Sequence, residues 1–154
     1  MQIVTRPADP ATPAALACLR AYYEALDGIL PEGFDPGPFP GPGLEQMCPP
    51  RGVFLLALDD DIAIGCVGLR GDGSPVGEVK RLWVDPSARR HGLASRLMAE
   101  VDHHARRIGM TRLTLDTSRH LPGALMLCRA QGWTEIAPCN DSPHALHFFE
   151  KWLV

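Results

Sequence analysis

The sequence predicts one α/β domain. Three observations predict it: a length and composition suited to one globule, alternating β-favouring runs, and two well-capped amphipathic helices among them. The chain has 154 residues, 45% hydrophobic and 21% charged. Such a length buries roughly 70% of the surface that the unfolded chain exposes, and such a composition is that of an ordered globule. No internal repeat or change of composition divides it, so residues 1–154 are expected to form a single domain.

Gln2 to Arg6 is a short β-favouring run ended by Pro7. Thr12-Pro13 then supplies an N-cap followed by proline at the first helical position. Leu16, Leu19, Tyr23 and Leu26 follow at helical spacing, predicting a helix over 13–27 that Gly28 stops. From Gly28 to Gly52 proline and glycine are too dense for a long regular element. This stretch reads either as a plain surface loop or as a stiffened lid beside a site, with one helical turn at Leu44 to Cys48. Val53 to Leu58 and Ile62 to Arg70 read as a hairpin about Asp59-Asp60-Asp61, a solvated turn without a calcium loop's ligand spacing. A strand from Val76 to Val84 ends at Asp85-Pro86.

Between Gly92 and Ile108, Leu93, Leu97, Val101 and Ile108 form one face of an amphipathic helix, with Gly109 placed to cap it. Arg112 to Thr117 alternates as a strand, a helix follows over about 122–131, and strands near 133–137 and 145–152 end the chain.

The formal charge of −3 leaves no overall basic footprint, which excludes nucleic acid as the expected partner. Cys18, Cys48, Cys66, Cys128 and Cys139 are odd in number and show no CxxC spacing, so neither a disulfide framework nor a zinc knuckle is expected, and no metal. Free thiols suit a reducing cytoplasm. The N-terminus lacks a signal peptide's pattern, and no apolar run approaches the ~20 residues of a membrane helix. A cytoplasmic location without a membrane partner is expected.

The segment that carries chemistry runs from Glu78 to Arg96, where a strand enters a short loop and a helix opens at a glycine. The first amides of a helix lack internal partners and lie at the positive end of its dipole, which together suit phosphate. Gly92 lacks the side chain that would block close approach, Ala94 keeps the next turn narrow, and Arg89, Arg90 and Arg96 add local positive charge. Neither GxGxxG after the first strand nor GxxxxGK[ST] occurs. A solvated basic loop and a phosphate site both fit the residues alone.

Arg89-x-x-Gly92-x-Ala94 resembles the [QR]-x-x-G-x-[GA] signature of the GNAT acyltransferase superfamily. Its setting matches too: Leu82-Trp83-Val84 and Asp85-Pro86 before it, a helix after it, and Gly132-Trp133 where relatives carry Gly-Phe or Gly-Tyr. The tail from Ile136 to Pro143, with Phe149-Glu150-Lys151, is similar to a subgroup of small bacterial members. The resemblance is close over 77–154 and rests on element order before that. It implies a mixed central sheet of six to seven strands flanked by helices, and N-acetyl transfer from acetyl-coenzyme A (acetyl-CoA) to an amine in a ternary complex. The pantetheine arm would bond the backbone of Leu82, Trp83 and Val84. The pyrophosphate would sit on the amides of Arg90, His91, Gly92, Leu93, Ala94 and Ser95, with a minor contact from Ser118. Relatives are often dimers.

An attacking amine must lose a proton. The place of Glu78 resembles that of a general base in relatives; alternatively it pairs with Lys80 or Arg112 at the sheet surface. Where relatives place a tyrosine to protonate the leaving thiolate, this chain has Cys128. An ordinary thiol, with a pKa of about 8.5, would donate to another thiolate nearly thermoneutrally. Cys128 as donor, solvent as donor, and Cys128 as a packing side chain therefore stand as alternatives. His103 and His104 read as solvated, and His144 and His147 flank the last strand. Glu24, Asp27, Glu32, Asp35 and Glu45 would favour a cationic acceptor. A non-catalytic acyl-CoA binding or sensing module is the competing function, raised by the missing tyrosine.

Overall fold

The computed structural model describes residues 2–35, 37–40, 43–138 and 147–153. The order of elements along the chain is β1 (Ile3–Pro7), α1 (Pro13–Ile29), β2 (Val53–Asp59), β3 (Ile62–Arg70), β4 (Val76–Val84), α2 (Leu93–Ile108), β5 (Arg112–Thr117), α3 (Pro122–Ala130), β6 (Thr134–Ile136) and β7 (His147–Trp152). They build a 7-stranded mixed sheet in the order β1-β2-β3-β4-β5-β7-β6. Among the described residues only β4 and β5 run parallel as neighbours, because α2 carries the chain back across the sheet between them.

The sheet is covered on both faces. Phe54, Leu56 and Cys66 pack against Leu19 and Tyr23 of α1. Val53, Leu55, Val67 and Leu69 pack against Leu97 and Val101 of α2 on the other side. This explains why β2 reads as a continuous apolar run: it is buried on both faces. Asp60 and Asp61, both at positive φ, make the two-residue turn of the β2–β3 hairpin.

Three local expectations change. Helix α1 passes Gly28 and ends at Ile29, with the Leu30 N–H bonded to the Leu26 carbonyl. A glycine near a helix end costs only about 1 kcal/mol, and buried Leu26 and Leu30 anchor the final turn. Thr12 stands at the N-cap, yet its hydroxyl donates to the Asp9 carbonyl instead of capping the helix. The proline-rich segment contains the expected turn at Leu44–Met47, of 3-10 type. Strand β6 is shorter than expected, since Trp133 turns into the core. Cys139, His144, Ala145 and the Asn140–Pro143 motif lie outside the described residues. Among the described residues no helix is long and apolar enough to cross a membrane.

Candidate active site

The sheet opens where β4 and β5 part. They pair only over Val76–Glu78 against Arg112–Thr114. Each strand keeps its other neighbour for longer: β4 stays on β3 as far as Val84, and β5 stays on β7 as far as Thr117. Beyond Glu78, the β5-facing edge of β4 therefore has no strand beside it among the described residues.

A bulge in β4 shapes this opening. Lys80 pairs with Gly68 and Trp83 with Cys66, so Arg81 and Leu82 together oppose Val67. Arg81 takes a left-handed φ of 58° to make the extra step. Val79 and Leu82 consequently both pack on the α2 side, three positions apart, where an unbroken strand alternates by two. Lys80 and Arg81 stand side by side at a cleft of about 280 Å³. Tyr22 and Tyr23 of α1 form one wall, with Leu30 and Phe34 from the loop beyond it, so that segment walls the site. Leu115 to Ser118 and α3 close the opposite side.

The expected cofactor residues follow the open edge toward α2. Leu82 borders the cleft, and Trp83 and Val84 continue the strand. Asp85 accepts from the Ser87 amide at 2.9 Å and fixes the turn. Arg89 donates to the Val84 carbonyl at 3.3 Å, and Arg90 and Gly92 both sit at φ 69°. Gly92 is the N-cap of α2, and Leu93, Ala94 and Ser95 form its first turn, with exposed His91 just before it. An added Cβ at Gly92 would meet nothing within 4 Å, so backbone conformation is what calls for glycine there. Arg96 is directed to β1 instead: its guanidinium donates to the Ile3 carbonyl and the Thr5 hydroxyl at 3.2 Å. Ser118 is buried in the cleft wall and accepts from the His120 amide. Nearby, the buried Thr117 hydroxyl has no hydrogen-bond partner among the described residues.

Glu78 lies beside this cleft, at an adjoining hollow of about 110 Å³. Its carboxylate meets Arg70 at 2.9 Å and Lys80 at 3.3 Å. Lys80 reaches on to Asp116 at 3.5 Å, so a charged chain links hollow and cleft. Arg112, the other partner expected for Glu78, pairs with Glu150 instead. Cys128 is 2% exposed and borders the cleft. Burial pushes its thiol up to about 11, against a smaller lowering by Arg129, so the ordinary value behind a near-thermoneutral donation does not hold here.

None of Glu24, Asp27, Glu32, Asp35 and Glu45 borders the cleft. Asp27 instead accepts the Phe34 amide and Asp35 the Gly37 amide. His147 is bound to Glu135 at 2.9 Å, away from the cleft. The residues that sequence reasoning missed are Tyr22, Arg81 and the cleft-facing role of Asp116. Desolvation raises the Tyr22 hydroxyl well above the usual tyrosine range, with a smaller opposing pull from Arg81. The broken alternation of Val79, Leu82 and Val84 was the available signal for the bulge.

Residues 19–133 match the family model described as Acetyltransferase (GNAT) family. The chain belongs to the GNAT acetyltransferase family. The matched GNAT region begins in α1 and ends at Trp133, so it takes in the cleft and the start of α2. An uncharacterized N-acetyltransferase of Schizosaccharomyces pombe is 33% identical over 97 residues, covering 62% of this chain and 60% of that protein. An IAA acetyltransferase of Azospirillum brasilense is 31% identical over 113 residues, 70% of this chain and 72% of its own length. The GNAT fold recurs in N-acetylglutamate synthase from Neisseria gonorrhoeae, solved with coenzyme A and N-acetyl-glutamate. That structure superposes with a TM-score of 0.72 at 19% identity, over 100% of this chain and 36% of the other.

Proposed function

We propose that this GNAT protein moves an acetyl group from acetyl-CoA to a primary amine by direct transfer within a ternary complex. The observation that carries the reading is the parting of β4 from β5 beside the left-handed start of α2. The free edge at Leu82, Trp83 and Val84 offers main-chain hydrogen bonds to the amides of a pantetheine arm, as an added strand does. The helix-start amides from Arg90 through Ser95 suit a pyrophosphate, with Arg89 and Arg90 adding charge. Ser118 supplies a side contact in the wall.

In the reaction the amine nitrogen attacks the thioester carbonyl. A C–N bond forms, the C–S bond breaks, and the coenzyme A thiolate leaves. Glu78 accepts the amine proton through water, because its carboxylate lies beside the cleft rather than in it. Solvent at the cleft mouth protonates the thiolate, and Cys128 packs the acyl end. With a thiol raised to about 11, Cys128 is too weak an acid to favour donation.

That same thiol, in the place of a tyrosine, favours one competing reading: an acyl-CoA binding or sensing module without catalysis. Incubation with acetyl-CoA and a panel of primary amines separates the two. Transfer predicts amine-dependent release of free thiol and an N-acetylated product. Tight acetyl-CoA binding with no thiol release from any amine favours the sensor.

A further inference from the structure

We infer that the acceptor amine carries a carboxylate, that Arg81 recognises it, and that the aromatic wall of Tyr22, Tyr23 and Phe34 takes its apolar part; this rests on the acetyl-transfer reading. Among the described residues the cleft presents the cations Arg70, Lys80 and Arg81 against the single carboxylate of Asp116. A cationic acceptor would meet repulsion there, whatever charge lies on the outside of α1.

The three cations are not equivalent. Arg70 and Lys80 are both committed to Glu78, and Lys80 also to Asp116. Arg81 makes no ion pair among the described residues. Its Nε donates to the Tyr23 hydroxyl at 2.9 Å, and one terminal nitrogen lies 3.9 Å from the Met47 sulfur, both neutral groups. These contacts orient the guanidinium and leave its charge without an ion-pair partner among the described residues. A planar guanidinium held in this way matches a carboxylate through two parallel hydrogen bonds.

The backbone is bent to present this side chain. Left-handed φ is unfavourable for a residue bearing a Cβ, and Arg81 adopts it within the bulge that sets it beside Lys80. Tyr23 both anchors Arg81 and stacks with Phe34 at 5.8 Å between ring centres, joining the cationic and aromatic parts of the wall.

Two amines that differ only by a carboxylate, phenylalanine and phenethylamine, test the assignment. The expected wild-type kcat/KM ratio favours phenylalanine by at least about tenfold, since a site built for a charged partner discriminates against its absence. Arg81→Gln lowers that ratio by at least about tenfold, chiefly through KM, and Arg81→Lys falls between. Thermal melting establishes that each variant is folded; should R81Q not fold, R81K against wild type carries the comparison. Equal use of both amines by the wild type, or a ratio unchanged in the folded variant, overturns the inference and leaves acetyl transfer standing.

If no amine releases thiol, the transfer reading fails. The carboxylate site is then decided by calorimetry with N-acetylphenylalanine and N-acetylphenethylamine in the presence of coenzyme A. Preference for the acid that is lost in R81Q supports the site, and equal binding overturns it.

Discussion

The Cys128 thiol borders the cleft, and its burial favours the protonated form up to a pKa of about 11. The same shift makes a stability prediction. The folded state holds this proton where the unfolded thiol, with a pKa of about 8.5, has lost it. The contribution is fully present below pH 8.5 and is lost as pH rises to about 11, on the order of 3 kcal/mol in all. Denaturant titrations of wild type and Cys128→Ala across this range should converge as pH rises; parallel curves would contradict the assignment. Glu78→Gln is expected to lower kcat by about 100-fold if its carboxylate takes the amine proton. An unchanged kcat would move that role to Asp116, the carboxylate that borders the cleft. At this scale the resemblance singled out Glu78 by its place on the strand before the Arg89–Ala94 motif, and Cys128 by its place four residues before Gly132-Trp133. Arg81 was harder to read: the broken alternation of Val79 and Leu82 hints at a bulge, but the register between β3 and β4 is what sets Lys80 and Arg81 on one side.

Among the elements, the start of α2 and the open edge of β4 bear on the ligand most directly. Gly92→Ala places a Cβ on a residue at φ 69°, a strain of roughly 1 kcal/mol. Melting should fall by about 3 °C, and acetyl-CoA should bind several-fold more weakly by calorimetry. An unchanged melting temperature would mean that this backbone turn differs in solution. Hydrogen exchange reads the strand edge: amides within 82–84 that face β5 should gain protection when acetyl-CoA binds. Exchange that stays the same there would place the pantetheine arm elsewhere. Element positions were legible in the sequence wherever a cap or a proline marked them, as with Gly109 closing α2 and Asp85-Pro86 closing β4. Gly28 misled because core contacts of Leu26 and Leu30 outweigh the propensity of one residue.

Across the whole molecule, the seven-stranded mixed sheet covered on both faces agrees with the α/β order in the sequence. The alternation of strands and helices conveyed that much, since each apolar face needs a partner layer. What it could not convey was the charge of the cleft. The acids of α1 and its following loop are numerous in sequence, yet they lie outside it, and three basic side chains from β3 and β4 border it instead. Charge counted along the chain is not charge facing a cavity.

Acetyl transfer requires that the parted strands and the helix start together accept acetyl-CoA. Calorimetric titration of the folded protein with acetyl-CoA measures this directly. The predicted result is saturable binding of one equivalent, accompanied by a rise in melting temperature. Neither heat nor a melting shift at millimolar acetyl-CoA would contradict it.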